Sequence, residues 1–439
     1  MKLQRIPEAC TMHEEPLTLK SVKSASSHLI ICIISKLGQL DILIDADHGL
    51  WKTSKVTRVL VVNEAILSDI SGDILRCFDN VIPLTTRSDR VLFPEFYPQQ
   101  LREIFISQQE VYNTKETIVF CGGEGNITHV AKALDGLSMT GVNAEKAILF
   151  RDKTRMKAYL RSYGILVPEF IVEIENKTFD QMKQALGLPF VIKPADEGGS
   201  MGFHLIHNEC DYLKAIGCIE NLANYQAETY LDGQLFHVDS IRSSGEKTIS
   251  LVSEYLFPMA QCLDGMPAGS MALDQQSVTA QKILSVHQDV LAAFDVFGIF
   301  HAEYFITSTG RVVFLEIAWR PCGPPCDQNF LHYVGTNQST AYLSMATHMM
   351  SSVDISFQQP LTMRIFINRQ PGVYQGLSLP LPEDSYTVLE EISKGDVCEK
   401  GATYMNYVAI IDVRANSLPE LRAYFDVIRQ SGLSCAVFT

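Results

Sequence analysis

The stretch His301–Arg320, HAEYFITSTGRVVFLEIAWR, constrains this chain more than any other. Two runs rich in β-branched and aromatic residues flank Ser308-Thr309-Gly310, and glycine beside a hairpin tip supplies the positive φ of tight turns. A two-residue loop at Thr309-Gly310 sets Ser308 opposite Arg311 and, counting outward, Glu303 opposite Glu316. Strand alternation then predicts an apolar face of Ala302, Tyr304, Ile306, Val313, Leu315 and Ile317. Glu303, Glu316, Ala318 and Arg320 share the other face, with Phe305 and Phe314 nearer the turn.

Carboxylates opposed across a hairpin lie about 5 Å apart and repel. A cation between them relieves that repulsion. An oxygen-only pair suits Mg²⁺, which takes one or two carboxylates together with nucleotide phosphates. The alternative is a solvated outer face with two unrelated glutamates, and the hairpin alone leaves both readings open. A loop one residue longer or shorter would set Leu315 opposite Glu303 and break the pairing.

With 439 residues the chain can build two or three domains with substantial cores. Its hydrophobic fraction of 46% and charged fraction of 20% are those of a globular protein. A net charge of −14 argues against nucleic acid or an anionic membrane as the main partner, but leaves room for a nucleotide in a local site. No apolar run approaches a membrane span; the longest is Leu29 to Ile34. The opening MKLQRIPEACTMHEEP is too polar and acidic for a secretory signal, so a cytoplasmic protein is expected. Eleven scattered cysteines read as thiols of a reducing compartment. Cys322 and Cys326 lie close together, but with no second pair and no nearby histidine cluster they read as small loop residues rather than a zinc site.

Read in order, residues 1–28 form a polar leader. Val59–Val62, Val81–Leu84 and Thr117–Phe120 read as strands, alternating with helical patterns at Ala65–Phe78 and Pro98–Gln109. This predicts a parallel α/β domain over 1–150. The Gly122-Gly123 turn, before a helix at Asn126–Leu137, could hold a ligand at the carboxyl end of a strand. Asp152 caps a helix DKTRMKAYLRSYG with Met156, Tyr159 and Leu160 on its apolar stripe and Lys153 and Lys157 on the opposite surface. In PFVIKPADEGGSMGFHLI a strand ends at Lys193, and Gly198, Gly199, Ser200 and Gly202 occupy the link to the next strand. Such a link can turn backbone N–H groups toward phosphate oxygens. AETYLDGQLFHVDSI reads as a further strand pair around Asp232-Gly233. Helices are expected at Gln281–Phe297, Asn337–Met350 and Pro419–Gln430, the last within a small α+β unit over 355–439.

A capped lysine helix, a strand-end lysine with a glycine-rich loop, Glu-x-Tyr-Leu, and a two-glutamate hairpin followed by arginine occur in that order. Over residues 115–370 this resembles the ATP-grasp superfamily. The resemblance implies a mixed α/β and α+β fold. It comprises a parallel N-terminal domain (1–150), a small lid (151–227), a catalytic lobe (228–354) and a C-terminal subdomain (355–439). It also implies two cofactors, ATP and Mg²⁺. Carried over by position, Lys153 and Lys193 hold the phosphates, and Gly198–Gly202 is the flap above them. Glu228 and Leu231 form the hinge at the adenine, with Glu228 accepting from its amino group, and His237 contacts the ribose. Glu303 and Glu316 are the magnesium ligands. Arg320 holds the carboxylate or acyl phosphate. Ala318 stands where many members carry a further asparagine ligand, and E-I-A-x-R-P-x-G is similar to the amino-acid and dipeptide ligases.

The implied reaction is ATP-dependent formation of a peptide-like amide from a carboxylate (an amino acid) and an amine, through an acyl phosphate with release of ADP and phosphate, in a possible homodimer. Two other readings are weighed against it. A carboxylase-type enzyme would carry a different segment after the arginine, where this chain has Pro321-Cys322-Gly323. A non-catalytic nucleotide-binding regulator would not need Lys193, Glu303, Glu316 and Arg320 together.

Overall fold

The computed structural model describes residues 26–439 except 88–93, 244–247, 351–354, 356–359 and 402–404. The polar leader read over 1–28 lies almost wholly outside the described residues. Strands β1 (His28–Ile34), β2 (Val56–Asn63), β3 (Asn80–Leu84) and β4 (Glu116–Cys121) form a parallel sheet in the order β3-β2-β1-β4. Every residue of β2, and every residue of β1 after His28, is buried. Such continuous apolar runs are what a parallel sheet covered on both faces demands. Within the span Ala65–Phe78 the single expected helix is two short ones, a 3₁₀ turn at Glu64–Asp69 and an α-turn at Gly72–Leu75. Ser71 separates them: it is extended, and its hydroxyl accepts from the Ile74 N–H at 3.3 Å as the cap of the second.

Strands β5 (Phe170–Ile171), β6 (Phe190–Pro194), β7 (His204–Ile206) and β8 (Tyr225–Thr229) form a small antiparallel sheet, ordered β5-β8-β6-β7. It has its own core of Ile174, Met182, Phe190, Ile192 and Tyr212. The large sheet takes β9 (Gly233–Arg242), β10 (Ile249–Tyr255), β11 (Ala268–Ala272), β12 (Gly298–Thr307), β13 (Val312–Ala318) and β14 (Leu361–Asn368). The chain closes with β15 (Gly372–Leu377), β16 (Tyr386–Glu391), β17 (Val397–Cys398), β18 (Tyr407–Ala415) and β19 (Ala436–Phe438). The eight-stranded order is β13-β12-β9-β10-β11-β14-β18-β16, and β17-β15-β19 stand apart as a three-stranded sheet. Segment 355–439 thus continues the sheet that carries the two-glutamate hairpin, and a division at 227/228 falls inside β8.

The strand pair expected around Asp232-Gly233 is not a pair. β8 belongs to the small sheet and β9 to the large one, so residues 230–232 cross from lobe to lobe. Gly233 meets β12 instead, pairing with Thr307, and a Cβ there would lie 2.2 Å from the Ile306 carbonyl oxygen. Among the described residues no helix is long and apolar enough to cross a membrane.

Candidate active site

The hairpin is built differently from the simplest reading, yet its carboxylates meet. Thr307 N–H donates to Arg311 O at 3.0 Å, so the turn holds three residues, with Gly310 at φ +77°. Ile306 then pairs with Val312, Phe305 with Val313 and Tyr304 with Phe314, one step out of the expected register. A bulge at Leu315 restores the step, and Glu303 faces Glu316. The two departures cancel for the carboxylates but not for the residues between. Phe314 stands on the core face beside Tyr304, ring centroids 5.7 Å apart. Val313 and Leu315 join Phe305 and Leu235 on the other face.

A cavity of about 510 Å³ lies between the small and large sheets, floored by Leu235, Phe305 and Leu315. Lys153, Lys193, Gly198, Gly199, Ser200, Glu228, Leu231, Glu303 and Glu316 all line it. A smaller hollow of about 90 Å³ runs on from the two glutamates to Arg320 and Gly323. Gly199, Ser200 and Gly202 are all left-handed, with φ of 66°, 58° and 65°. Gly202 packs behind the loop, where a Cβ would lie 2.6 Å from the Tyr225 hydroxyl.

The helix Lys153–Ser162 begins at Asp152, whose carboxylate accepts from the Thr154 N–H at 2.9 Å and the Arg155 N–H at 3.1 Å. Its buried residues are Lys153, Met156, Lys157 and Leu160. This i, i+3, i+4, i+7 set is one helix face, so the lysines lie with the apolar stripe rather than opposite it. Charge had concealed the periodicity. Lys157 is fully buried and its ammonium is paired with Glu228 Oε2. Lys193 Nζ reaches Glu228 Oε1 at 2.5 Å. Both oxygens of Glu228 are therefore taken by lysines. The carboxylate expected to accept from an adenine amino group instead joins Lys157 to Lys193.

Burial would raise the Glu228 carboxyl, but the two lysines outweigh it and hold it at about 2. Burial lowers Lys157 to about 8 against the pull of Glu228, and the neighbouring Lys193 charge adds to the lowering. Burial would also lower Lys193, but Glu228 and then Glu316 raise it. Lys153 donates to the Glu197 carbonyl oxygen and lies 3.7 Å from Glu316 Oε2. Glu303 accepts from the Tyr255 hydroxyl at 2.8 Å and lies 3.7 Å from His301 Nε2. Oxygen-only donors opening onto a lysine-lined cavity fit Mg²⁺ with phosphates.

Arg320 Nε donates to Glu124 Oε2 at 3.2 Å, and Arg151 Nη1 to Glu124 Oε1 at 3.2 Å. Burial works to raise the Glu124 carboxyl; Arg320 and Arg151 outweigh it and bring it to about 2. Glu124 follows the Gly122-Gly123 turn, which packs on Gln39: a Cβ at Gly123 would meet Gln39 Nε2 at 2.3 Å. The sequence signal was there, an acid just past the carboxyl end of a parallel strand, but nothing in it pointed to Arg320. The ribose contact expected of His237 is not what the fold provides. His237 is fully buried, lines neither hollow, and has its ring nitrogens on Asp239 Oδ2 (2.9 Å) and Ser270 Oγ (2.8 Å).

Residues 158–323 match the ATP-grasp domain family. The chain is 28% identical over 192 residues to an L-arginine-specific L-amino acid ligase of Bacillus subtilis, covering 42% of this chain and 46% of that protein. It is 38% identical over 134 residues to a D-alanine–D-alanine ligase of Neisseria meningitidis serogroup C, covering 30% and 43%. The chain thus spans somewhat under half the length of these curated relatives. Among solved structures, an L-amino acid ligase from Bacillus licheniformis superposes with a TM-score of 0.65 at 14% identity, covering 93% of this chain and 98% of that one. An ATP complex of a carboxyaminoimidazole ribonucleotide synthase from Aspergillus clavatus gives 0.63 at 16%, covering 91% and 98%. At such identities the likeness is one of fold. Residues 158–323 thus match an ATP-grasp domain, and nearly the whole chain shares the fold of these solved structures.

Proposed function

We propose that this chain is an ADP-forming ligase that joins the carboxylate of an amino acid to an amine. The observation that carries the reading is one continuous cleft in which two lysines, a left-handed glycine loop, an opposed carboxylate pair and an anchored arginine follow one another. Lys153 and Lys193 bind the nucleotide phosphates, with loop 198–202 above them, and the apolar floor of Leu235, Phe305 and Leu315 takes the base. Glu303 and Glu316 would hold Mg²⁺. When bound, Mg²⁺ neutralises charge on the phosphate oxygens during transfer.

Arg320, held in line by Glu124, orients the substrate carboxylate toward the phosphates. The carboxylate oxygen attacks the γ-phosphorus and ADP leaves, giving an acyl phosphate. The amine nitrogen then attacks the acyl carbon, the C–O bond to phosphate breaks, and the amine proton passes to solvent. Positioning and charge neutralisation supply the rate, and no protein nucleophile takes part. The names of the L-amino acid and D-alanine ligases support an amino-acid carboxylate. The ten described cysteines are all free thiols, which supports a cytoplasmic setting.

The test is a matrix of amino-acid pairs with Mg²⁺ and ATP, read by ADP release and product mass. We expect stoichiometric ADP, phosphate and one amide. ATP binding without turnover for any pair would favour the regulatory reading. ADP release that requires bicarbonate would favour the carboxylase reading.

A further inference from the structure

Beneath the carboxylate pair lies a second cluster that the ligase chemistry does not use. His237 and Asp239 stand two apart on β9 and so share a face. His301 on β12 pairs in register with Asp239. Cys322 reaches the same point from the loop after β13. All four are buried, and their ligand atoms lie within 4.8 Å of one another. Asp239 Oδ2 is 2.9 Å from His237 Nδ1, and Oδ1 is 2.8 Å from His301 Nδ1. The two imidazoles therefore converge on one carboxylate, with a thiol alongside.

We infer that His237, Asp239, His301 and Cys322 form a closed tetrahedral Zn²⁺ site. Two imidazole nitrogens, one carboxylate oxygen and one thiolate are a zinc donor set, whereas the oxygen-only pair above them suits Mg²⁺. Charge closes as well: two neutral imidazoles, a carboxylate and a thiolate balance Zn²⁺, so nothing buried is left uncompensated. The outer nitrogen of each ring is already held by an oxygen. His237 Nε2 meets Ser270 Oγ at 2.8 Å, and His301 Nε2 meets the Tyr255 hydroxyl at 3.2 Å. This is the supporting shell that fixes ligating histidines. Tetrahedral bonds of about 2.0–2.3 Å set ligand atoms about 3.3–3.6 Å apart, so the hydrogen-bonded His–Asp atoms open a little and the more distant atoms close in on the metal. Binding releases the thiol proton and the protons shared with Asp239.

The ion would brace the catalytic cleft. Tyr255, on His301, also donates to Glu303 at 2.8 Å, and Cys322 stands in the segment just after Arg320. Sequence distance hid the site, since the histidines join the cysteine only when β9 and β12 pair. The inference does not rest on the ligase reading.

The test uses the full chain, purified without chelator, for zinc by mass spectrometry, and the stripped protein titrated with Co²⁺. We expect about one zinc per chain. Co²⁺ should give a thiolate charge-transfer band with the strong visible bands of a tetrahedral ion. Cys326 lies against Cys322 and His237 and is the nearest substitute ligand, so both thiols are removed. Cys322→Ser/Cys326→Ser should lose the charge-transfer band, and His301→Gln should weaken zinc binding at least about tenfold. Should these variants fail to fold, the parent's Co²⁺ spectrum decides alone. A folded parent with neither stoichiometric zinc nor a thiolate band overturns the site, as does zinc retained by the double variant. Ligase turnover by such a metal-poor parent would overturn the zinc site while leaving the ligase reading intact.

Discussion

Glu228 is the residue on which the lysine-lined end of the cleft depends. It is 3% exposed and accepts from two lysines, one of them wholly buried. Replacing it by glutamine leaves Lys157 and Lys193 facing each other without the carboxylate that bridges them. Glu228→Gln should cost about 3–5 kcal/mol in urea unfolding at neutral pH, the scale of a buried pair with one partner removed. The pH dependence has a definite sign. The folded pKa of about 2 lies below the ordinary 4.5, so the stabilisation is complete above about 4.5 and is lost as pH falls toward 2. The variant should show a flatter acid limb over that window; an unchanged limb would mean that Glu228 is not the group responsible. Lys193→Ala removes the cation that lines the cavity but leaves the Lys157–Glu228 pair. It should cut turnover about a hundredfold and weaken ATP binding, with less loss of stability than Glu228→Gln. Near-normal ATP affinity by calorimetry would remove Lys193 from the phosphate site.

At the scale of elements, the β12–β13 hairpin carries the decisive geometry. Its turn and its bulge each add one residue, and together they return Glu316 to Glu303 while placing Leu315 in the cavity floor. Opposed glutamates by themselves would strain the free protein. Here each has its own partner, Tyr255 and His301 for Glu303 and Lys153 for Glu316. Glu316→Gln should therefore change the stability of the free protein by no more than about 0.5 kcal/mol. What it should remove is the extra rise in melting temperature that Mg²⁺ with ATP gives over ATP alone, because a ligand stabilises only through the state that binds it. Thermal unfolding with and without Mg²⁺·ATP reads both effects. A full nucleotide-dependent rise in the variant would count against the metal assignment.

Across the whole molecule, the N-terminal domain reaches the candidate cleft through Glu124. Trp51 Nε1 donates to Thr340 Oγ1 at 2.9 Å, Thr340 Oγ1 to Leu43 O at 2.9 Å, and Thr336 Oγ1 to Asp45 at 2.7 Å, all between the N-terminal domain and the large lobe. Through that contact Glu124, from the end of β4, holds Arg320 and Arg151. A hydrogen bond between charged groups is worth about 1.5–3 kcal/mol. Glu124→Gln should accordingly raise KM for the carboxylate substrate roughly ten- to hundredfold and leave ATP affinity within about twofold. Steady-state kinetics beside nucleotide calorimetry separate the two. Equal losses for carboxylate and ATP would mean that Glu124 merely holds the domains together.

Local pattern was enough to place three of the four strands of the parallel sheet, the capped lysine helix, the glycine loop and the facing of Glu303 and Glu316, because alternation and turn chemistry act over a few residues. Even there the register was reached through two compensating departures, which no count along the strands could separate. The partners were decided only by tertiary structure. Lys157 looked like a solvated charge until Glu228 arrived from β8. His237 looked like a ribose contact until β9 packed it against Ser270 and Asp239. Glu124 lies far along the chain from the arginine it orients, and Cys322 far from its histidines. A buried charge is tolerable only beside its counter-charge, and which groups meet is settled by sheet pairing and lobe packing rather than by neighbours in sequence.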